Sequence, residues 1–343
     1  MTQLPGTQPI DTALYFTRND ATDPRLGDRV GRGCGMYASA EVAILGCGQD
    51  EGVRRNGGRP GATAGPAEIR RALYRMTVNG LESLGICDAG DVVIGPTLEE
   101  THATLQAVVA ELLQAGKRVI VLGGGNDISY PDCAALAKQA GDVLAFNIDA
   151  HFDVRPDAVR NSGTPYRQLL EEGLLKPQRF FELGSQPFSN AAAHAQYLNE
   201  KRAHIVPLAA LRAKGAARVV RRALREADKA SAVFWGFDLD VVNASEAPGV
   251  SAPNPLGLSG QEFCELAALA GAEPRTRIVE FSEVNPAFDV DGRTARLTAA
   301  AIWHFLRAVV GAPSGATGAT VAAVGAPSGA TVAAKAAPTK APR

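Results

Sequence analysis

Val143-Leu-Ala-Phe-Asn-Ile-Asp-Ala-His-Phe-Asp153 joins an apolar run to a string of two aspartates and a histidine. Its first six residues, Val143 to Ile148, show no polar alternation, the habit of a strand buried on both faces of a parallel sheet. Working outward, three further runs share this character and end in Gly, Asn or Asp: Arg118-Val-Ile-Val-Leu122, Ser231-Ala-Val-Phe-Trp-Gly-Phe237 and Arg277-Ile-Val-Glu-Phe281. An earlier run, Glu41 to Leu45, precedes a glycine-rich loop over 46–65. Helix-like stretches lie between them, such as Leu98 to Gly116, Pro131 to Gly141 and Ala216 to Ala230, while Pro66 opens another that runs to Leu73. This alternation predicts an α/β fold, with a mostly parallel sheet between two helical layers.

With 343 residues, 46% of them hydrophobic, the chain can bury a large core, and α/β enzymes of this size often form one domain. Lys+Arg is 35 and Asp+Glu is 36, a formal net charge of -1, so nothing electrostatic points to nucleic acid or an anionic membrane as a partner. No apolar run is long enough to span a bilayer, and Met1 to Asp20 lacks a basic start followed by an apolar block, so a cytoplasmic location is expected. The five cysteines, Cys34, Cys47, Cys87, Cys133 and Cys264, are scattered and form no CxxC, which reads as reduced thiols. Residues 1–30 read as an N-terminal arm. At the other end, Gly311-Ala-Pro-Ser-Gly-Ala-Thr317 recurs as Gly325-Ala-Pro-Ser-Gly-Ala-Thr331 amid Ala, Pro, Lys and Thr. Residues 311–343 have almost nothing to bury and are expected to be disordered, which leaves 31–310 as the catalytic domain.

The placement of the acids carries the chemistry. Asp149, His151 and Asp153 follow one predicted strand, and Asp238 and Asp240 follow another. In extended backbone, residues two apart point to the same side. Asn126 and Asp127 follow a third strand and Glu283 a fourth, and in a parallel sheet these ends share the edge where ligands bind. Carboxylates converging at one point repel each other unless cations sit between them. Carboxylates with an imidazole suit Mn²⁺ or a similar hard ion, and enough donors are present for two. A lone D-x-D ordinarily caps a following turn. Two such strings after apolar strands, with a glycine-rich strand end upstream, favour metal instead. Gly123-Gly-Gly125 lacks the Lys-Ser/Thr of a phosphate-binding loop and the full GxGxxG spacing, so nucleotide binding is not expected.

From about Gly46 to Leu306 the chain resembles the ureohydrolase family of arginases, agmatinases and formimidoylglutamases. The resemblance rests on Gly46-Cys-Gly-Gln-Asp-Glu-Gly-Val53 with Asn56, Arg59 and Gly65-Pro66, on Gly123-Gly-Gly-Asn-Asp127, Asp149-Ala-His-Phe-Asp153 and Phe237-Asp-Leu-Asp240, and on Glu283-Val-Asn-Pro286. It implies a three-layer α/β/α fold and water activated between two Mn²⁺ ions per subunit. The implied ligands are Asp149, His151, Asp153, Asp238 and Asp240, with Asn126 as the remaining one. Glu283 is implied to hold the planar cationic part of a small-molecule substrate, and Asp153 to pass a proton to the leaving nitrogen. Members of the family commonly assemble, which leaves a homo-oligomer open.

Two departures narrow the substrate. Position 126 is Asn where arginases and agmatinases carry His, and a neutral amide oxygen binds Mn²⁺ more weakly than imidazole. The segment Asn161-Ser-Gly-Thr-Pro-Tyr-Arg167 has no histidine where arginases place a proton shuttle; with Asp149-Ala-His-Phe-Asp-Val-Arg155 it resembles the formimidoylglutamase branch. That branch hydrolyses N-formimidoyl-L-glutamate to glutamate and formamide in histidine degradation. Arg155 and Arg167 are candidates for its two carboxylates, since guanidinium pairs with carboxylate through two parallel hydrogen bonds, and Asn161 and Ser162 are candidates for the same end. Salt bridges steadying the loop are the structural alternative for both arginines. The alternative functions are a guanidino hydrolase releasing urea from agmatine, guanidinobutyrate or arginine, and a binding protein that lost metal through Asn126. His102 and His304 fall in helix-like stretches as surface or packing residues, and His194 and His204 match no motif.

Overall fold

A computed structural model describes residues 4–33 and 39–312. The final helix, Arg293–Gly311, ends where the tail was expected to begin, and residues 313–343, with Cys34, lie outside the described residues. The described strands are β1 (Thr7–Gln8), β2 (Gly31–Arg32), β3 (Val42–Cys47), β4 (Ile86–Val92), β5 (Arg118–Gly123), β6 (Val143–Ile148), β7 (Phe180–Leu183), β8 (His204–Val206), β9 (Ala232–Asp238) and β10 (Thr276–Ser282). They form one sheet in the order β1-β4-β3-β5-β10-β9-β6-β7-β8, with β2 paired to β4 off this path. Every pairing is parallel except β1 with β4.

This order explains where a site can form. The chain lays down β3, β4 and β5 on one side, crosses to β6 and continues outward through β7 and β8. It then returns with β9 and β10 into the gap between β5 and β6. The loops after β5, β10, β9 and β6 therefore leave four adjacent strands at one edge, where the strand order reverses.

The apolar runs are unbroken because both faces of the sheet are covered. Leu144, Phe146 and Ile148 of β6 face one core layer with Trp235 and Phe281, whereas Val143 and Ala145 face the other with Phe234 and Ile278. Each such side chain, fully buried, contributes roughly 1.5–3 kcal/mol relative to exposure. Helices Gly65–Leu73, Gly260–Ala272 and Arg293–Gly311 cover the first face; Leu98–Gln114, Ser129–Ala140 and Pro165–Glu171 cover the second. The arrangement is the expected three-layer α/β/α sandwich. No helix among the described residues is long and apolar enough to cross a membrane. Among the described residues, Cys47, Cys133 and Cys264 are free thiols.

Two features depart from the sequence reading. Strand β4, Ile-Cys-Asp-Ala-Gly-Asp-Val, does not read as a buried strand because it carries two aspartates. The fully buried Arg70 compensates them, pairing with Asp88 through two nitrogens at 2.8 and 3.0 Å and with Asp91 at 2.5 Å. The described part of the expected N-terminal arm is instead packed on the body: β1 extends the sheet, Leu14 and Leu26 enter the core, and Tyr15 stacks on Tyr74 at 5.3 Å. Its apolar residues are too sparse to read as periodic, yet Leu4, Ile10, Leu14, Tyr15, Leu26 and Val30 are buried against the body.

Candidate metal centre

The first cluster follows β6. Asp149 is fully buried; its backbone N–H is held by the Leu183 carbonyl at 3.0 Å, and its Oδ1 accepts from the His151 N–H at 2.7 Å. Asn147 on the same strand donates to Asp149 Oδ2 at 3.1 Å. The backbone then turns, and Asp153 sits at φ 48. The second cluster follows β9. Asp238 ends the strand and caps the 3-10 turn Leu239–Val241, its Oδ1 accepting from the Asp240 N–H at 2.8 Å. The capping reading of D-x-D is thus correct, and it leaves the other oxygen of Asp238 free of that duty. The same-side rule for extended strands is not what gathers these groups, since Asp149, His151, Asp153 and Asp240 all lie beyond the strand ends. Tight turns bring them together.

Ligand atoms of Asp149, His151 and Asp240 lie within 4.8 Å of one another, as do those of Asp149, Asp153 and Asp238. Asp149 belongs to both groups, so the two sites adjoin and share a carboxylate. His151 Nδ1 lies 3.1 Å from Asp240 Oδ2 and 3.4 Å from Asp149 Oδ1. The electrostatics show what the cluster lacks. Burial and the neighbouring carboxylates raise Asp153 and Asp238 well above the usual range and push Asp240 up to about 6, while Asp240 foremost drives His151 up to about 12. By itself the cluster keeps protons to offset its own repulsion. Divalent cations do the same work, and the buried Asp240 Oδ1 has no protein partner. Four carboxylates and one imidazole fit a pair of hard divalent ions.

Asn126, in the turn after β5, lies against the same cluster. Its Nδ2 donates to Asp153 Oδ2 at 2.5 Å and to Asp149 Oδ2 at 3.5 Å, while its Oδ1 accepts from Ser282 Oγ at 2.9 Å and Ser129 Oγ at 3.1 Å. The amide nitrogen faces the acids. Ligation through Oδ1 requires the amide to turn over, and both serine hydroxyls can then accept from Nδ2, since a hydroxyl serves in either sense. Behind this turn, Asp127 receives His102 Nε2 at 2.7 Å and Gln49 Nε2 at 2.5 Å, which makes His102 a packing residue, whereas His304 is exposed. Gly124 packs directly on the Gln49 backbone, where any side chain would collide. Close approach, and no phosphate cradle, accounts for Gly123-Gly-Gly125.

Glu283, just past β10, is buried at φ 65; Oε1 accepts from the Asn126 N–H at 3.1 Å and Oε2 has no partner. Burial and the acids around it, Asp240 first, push Glu283 up to about 8. Asp153 and Glu283 thus both hold a positive φ, which few non-glycine residues adopt.

Above the acids opens a cavity of about 360 Å³. Arg155 and Ser162 line it. The stem of Arg155 lies against Gly163, which has room for no side chain, and this seats the guanidinium at the cavity wall. Asn161 and Arg167 do not line it. Asn161 braces its own loop, donating to Asp157 Oδ2 at 2.8 Å and accepting from the Gly163 N–H at 2.9 Å. Arg167 pairs with Glu171 at 2.8 Å and lies over the Tyr197 ring at 4.2 Å, so the structural alternative holds for it. Asn56 donates to Ser162 Oγ at 3.0 Å, and Arg59 is spent on the Val250 and Ser251 carbonyls; both shape the wall. His194 also lines the cavity and was not singled out. Nothing at motif spacing marks it; the signal was a histidine in the first turn of a helix after a strand, and β7 itself is too short to read.

The family model described as the arginase family matches residues 40–307. The chain belongs to the arginase family. Among arginase-family relatives, the formimidoylglutamase of Geobacillus kaustophilus is 37% identical over 287 residues, covering 79% of this chain and 86% of that protein. The formimidoylglutamase of Nocardia farcinica is 38% identical over 282 residues, covering 79% and 88%. The crystal structure of Trypanosoma cruzi formiminoglutamase with Mn²⁺ superposes with a TM-score of 0.80 at 38% identity, over 85% of this chain and all (100%) of that one. The arginase-like α/β/α architecture expected from the sequence is therefore the fold of this chain.

Proposed function

We propose that this chain is a manganese-dependent formimidoylglutamase, consuming water to cleave the bond between the amidine carbon and the nitrogen of N-formimidoyl-L-glutamate, with L-glutamate and formamide as products. The observation that carries this is a charge gradient within one cavity: a buried, half-partnered Glu283 and the aspartate cluster at its floor, and the Arg155 guanidinium at its wall. A ligand with a cationic head and an anionic tail fits that gradient. Agmatine, cationic at both ends, does not. Relatives at 37% and 38% identity carry the same activity in their names.

Asp149, His151, Asp153, Asp238 and Asp240 would hold two Mn²⁺, with Asn126 presenting its oxygen after the amide turns over. The metals supply water of lowered pKa and two adjacent positive charges. The protein does the rest. Glu283, fixed by the Asn126 N–H, pairs with the amidinium and aims its carbon at the floor. Asp153 takes a proton from the attacking water and delivers it to the departing glutamate nitrogen, so that the amine leaves neutral. Arg155 binds a substrate carboxylate, and Ser162 lines the same wall. The reduced Cys47, Cys133 and Cys264 support a cytoplasmic setting, and a cavity of about 360 Å³ has room for one small molecule.

A substrate panel in Mn²⁺-supplemented buffer tests the reading. Equimolar glutamate and formamide from N-formimidoyl-L-glutamate, without urea from arginine, agmatine or guanidinobutyrate, is the expected result. Urea at a comparable rate makes it a guanidino hydrolase. Inactivity on every compound, with no Mn²⁺ bound at saturation, makes it a binding protein.

A further inference from the structure

Two nitrogen-bearing side chains in the cavity are left without protein partners among the described residues. The guanidinium of Arg155 makes no ion pair or side-chain hydrogen bond, and neither does the imidazole of His194, although both line the cavity and lie close enough to interact electrostatically. Asn190, Arg59 and Asn56 nearby are engaged. Asn190 donates to the Ala150 and Gln186 carbonyls at 2.8 and 2.9 Å and accepts from the Phe152 N–H at 2.9 Å. Arg59 and Asn56 are committed to the wall.

We propose that His194 and Arg155 together clamp the distal, side-chain carboxylate of the substrate, with His194 as a specificity-determining residue. This rests on the reading of the substrate as an amidine of a dicarboxylic amino acid. A guanidinium and an imidazole that face one cavity disfavour each other until an anion enters between them. A carboxylate has two oxygens and can take the guanidinium on one and an imidazole N–H on the other. His194 lies in the first turn of helix Ala192–Lys201, whose N-terminal end at Ala191 also borders the cavity and favours an anion. Burial first, then Arg155 and Arg167, lower the imidazole pKa against the opposing pull of Asp157. A neutral ring still donates one hydrogen bond and adds no further charge beside Arg155.

The test compares L-glutamate with L-glutamine, which differ only at the distal end, by calorimetry on the Mn²⁺-loaded full chain. Wild type is expected to prefer glutamate by at least about tenfold, the scale of a hydrogen bond to a charged group. His194→Ala is expected to reduce that preference about tenfold while leaving glutamine affinity in place, and His194→Gln, which keeps an N–H donor, to recover most of it. No glutamate binding by wild type, no preference for it, or an unchanged preference in His194→Ala overturns the clamp. A His194-dependent preference without hydrolysis of N-formimidoyl-L-glutamate keeps the clamp and removes the reaction; hydrolysis with a His194-independent preference does the reverse.

Discussion

The floor of the cavity and its mouth differ in charge and in how the chain supplies them. The floor is acidic and comes from residues at or just past the ends of adjacent strands, β5, β10, β9 and β6, where buried sheet on both sides holds the backbone. The mouth carries one cation and comes from segments outside the sheet, with Arg155 on a loop against Gly163 and His194 in the first turn of a helix. A floor placed by the sheet suits chemistry that tolerates little misplacement. A mouth placed by loops can vary its ligand without disturbing that chemistry.

The largest expected effect falls on the floor. Asp238→Ala should lower turnover on the order of a thousandfold and lower bound Mn²⁺, with an unchanged circular dichroism spectrum. A variant that retains both ions and full activity would remove Asp238 from the ligand set. At the mouth, Arg155→Ala should raise KM by about 10–100-fold with kcat nearly kept, since the interaction it loses is present equally in bound substrate and transition state. Arg167→Ala, tied up with Glu171 and Tyr197, should stay within about threefold of wild type. Equal losses in the two variants would erase the distinction between them.

Asn126→His should tighten the weaker Mn²⁺ site by about tenfold, read by calorimetric titration, because imidazole is the better donor. No change would mean that position 126 does not ligate either way. The smallest effect lies beneath the floor. Glu280 and Asp132 are fully buried beside each other, with no ion-pair partner among the described residues, and burial pushes Glu280 up to about 8. Folded Glu280 therefore keeps a proton that the unfolded chain loses above its ordinary value of 4.5. The unfolded state binds fewer protons across that window, so stability falls as pH rises from about 4.5 towards about 8. Thermal melts of metal-free protein at the two ends should show a drop smaller by about 2–4 °C in Glu280→Gln than in wild type. Parallel drops would count against a retained proton.

Much of the floor was legible in the sequence. An apolar run followed by Asp149, His151 and Asp153 is a local pattern; the sheet carries it to the shared edge, and tight turns past the strand ends gather the side chains. Arg155 was legible through its motif, but Arg167 in the same segment was not separable from it, because only packing shows that Glu171 and Tyr197 occupy its guanidinium. His194 escaped because its role depends on a neighbour about forty residues away, and β4 escaped because its aspartates are neutralised by Arg70 from a helix.

From residue order alone come the α/β alternation, the acidic strings after strands and the class of metal they suit, because periodicity and hard-donor chemistry are properties of short stretches. Tertiary structure decided that Asp149 is shared between two groups, that Asn126 turns its nitrogen to the acids, and which cations reach the cavity. Those facts depend on distances between segments far apart along the chain, and such distances are set only when the sheet closes its order and the loops pack above it.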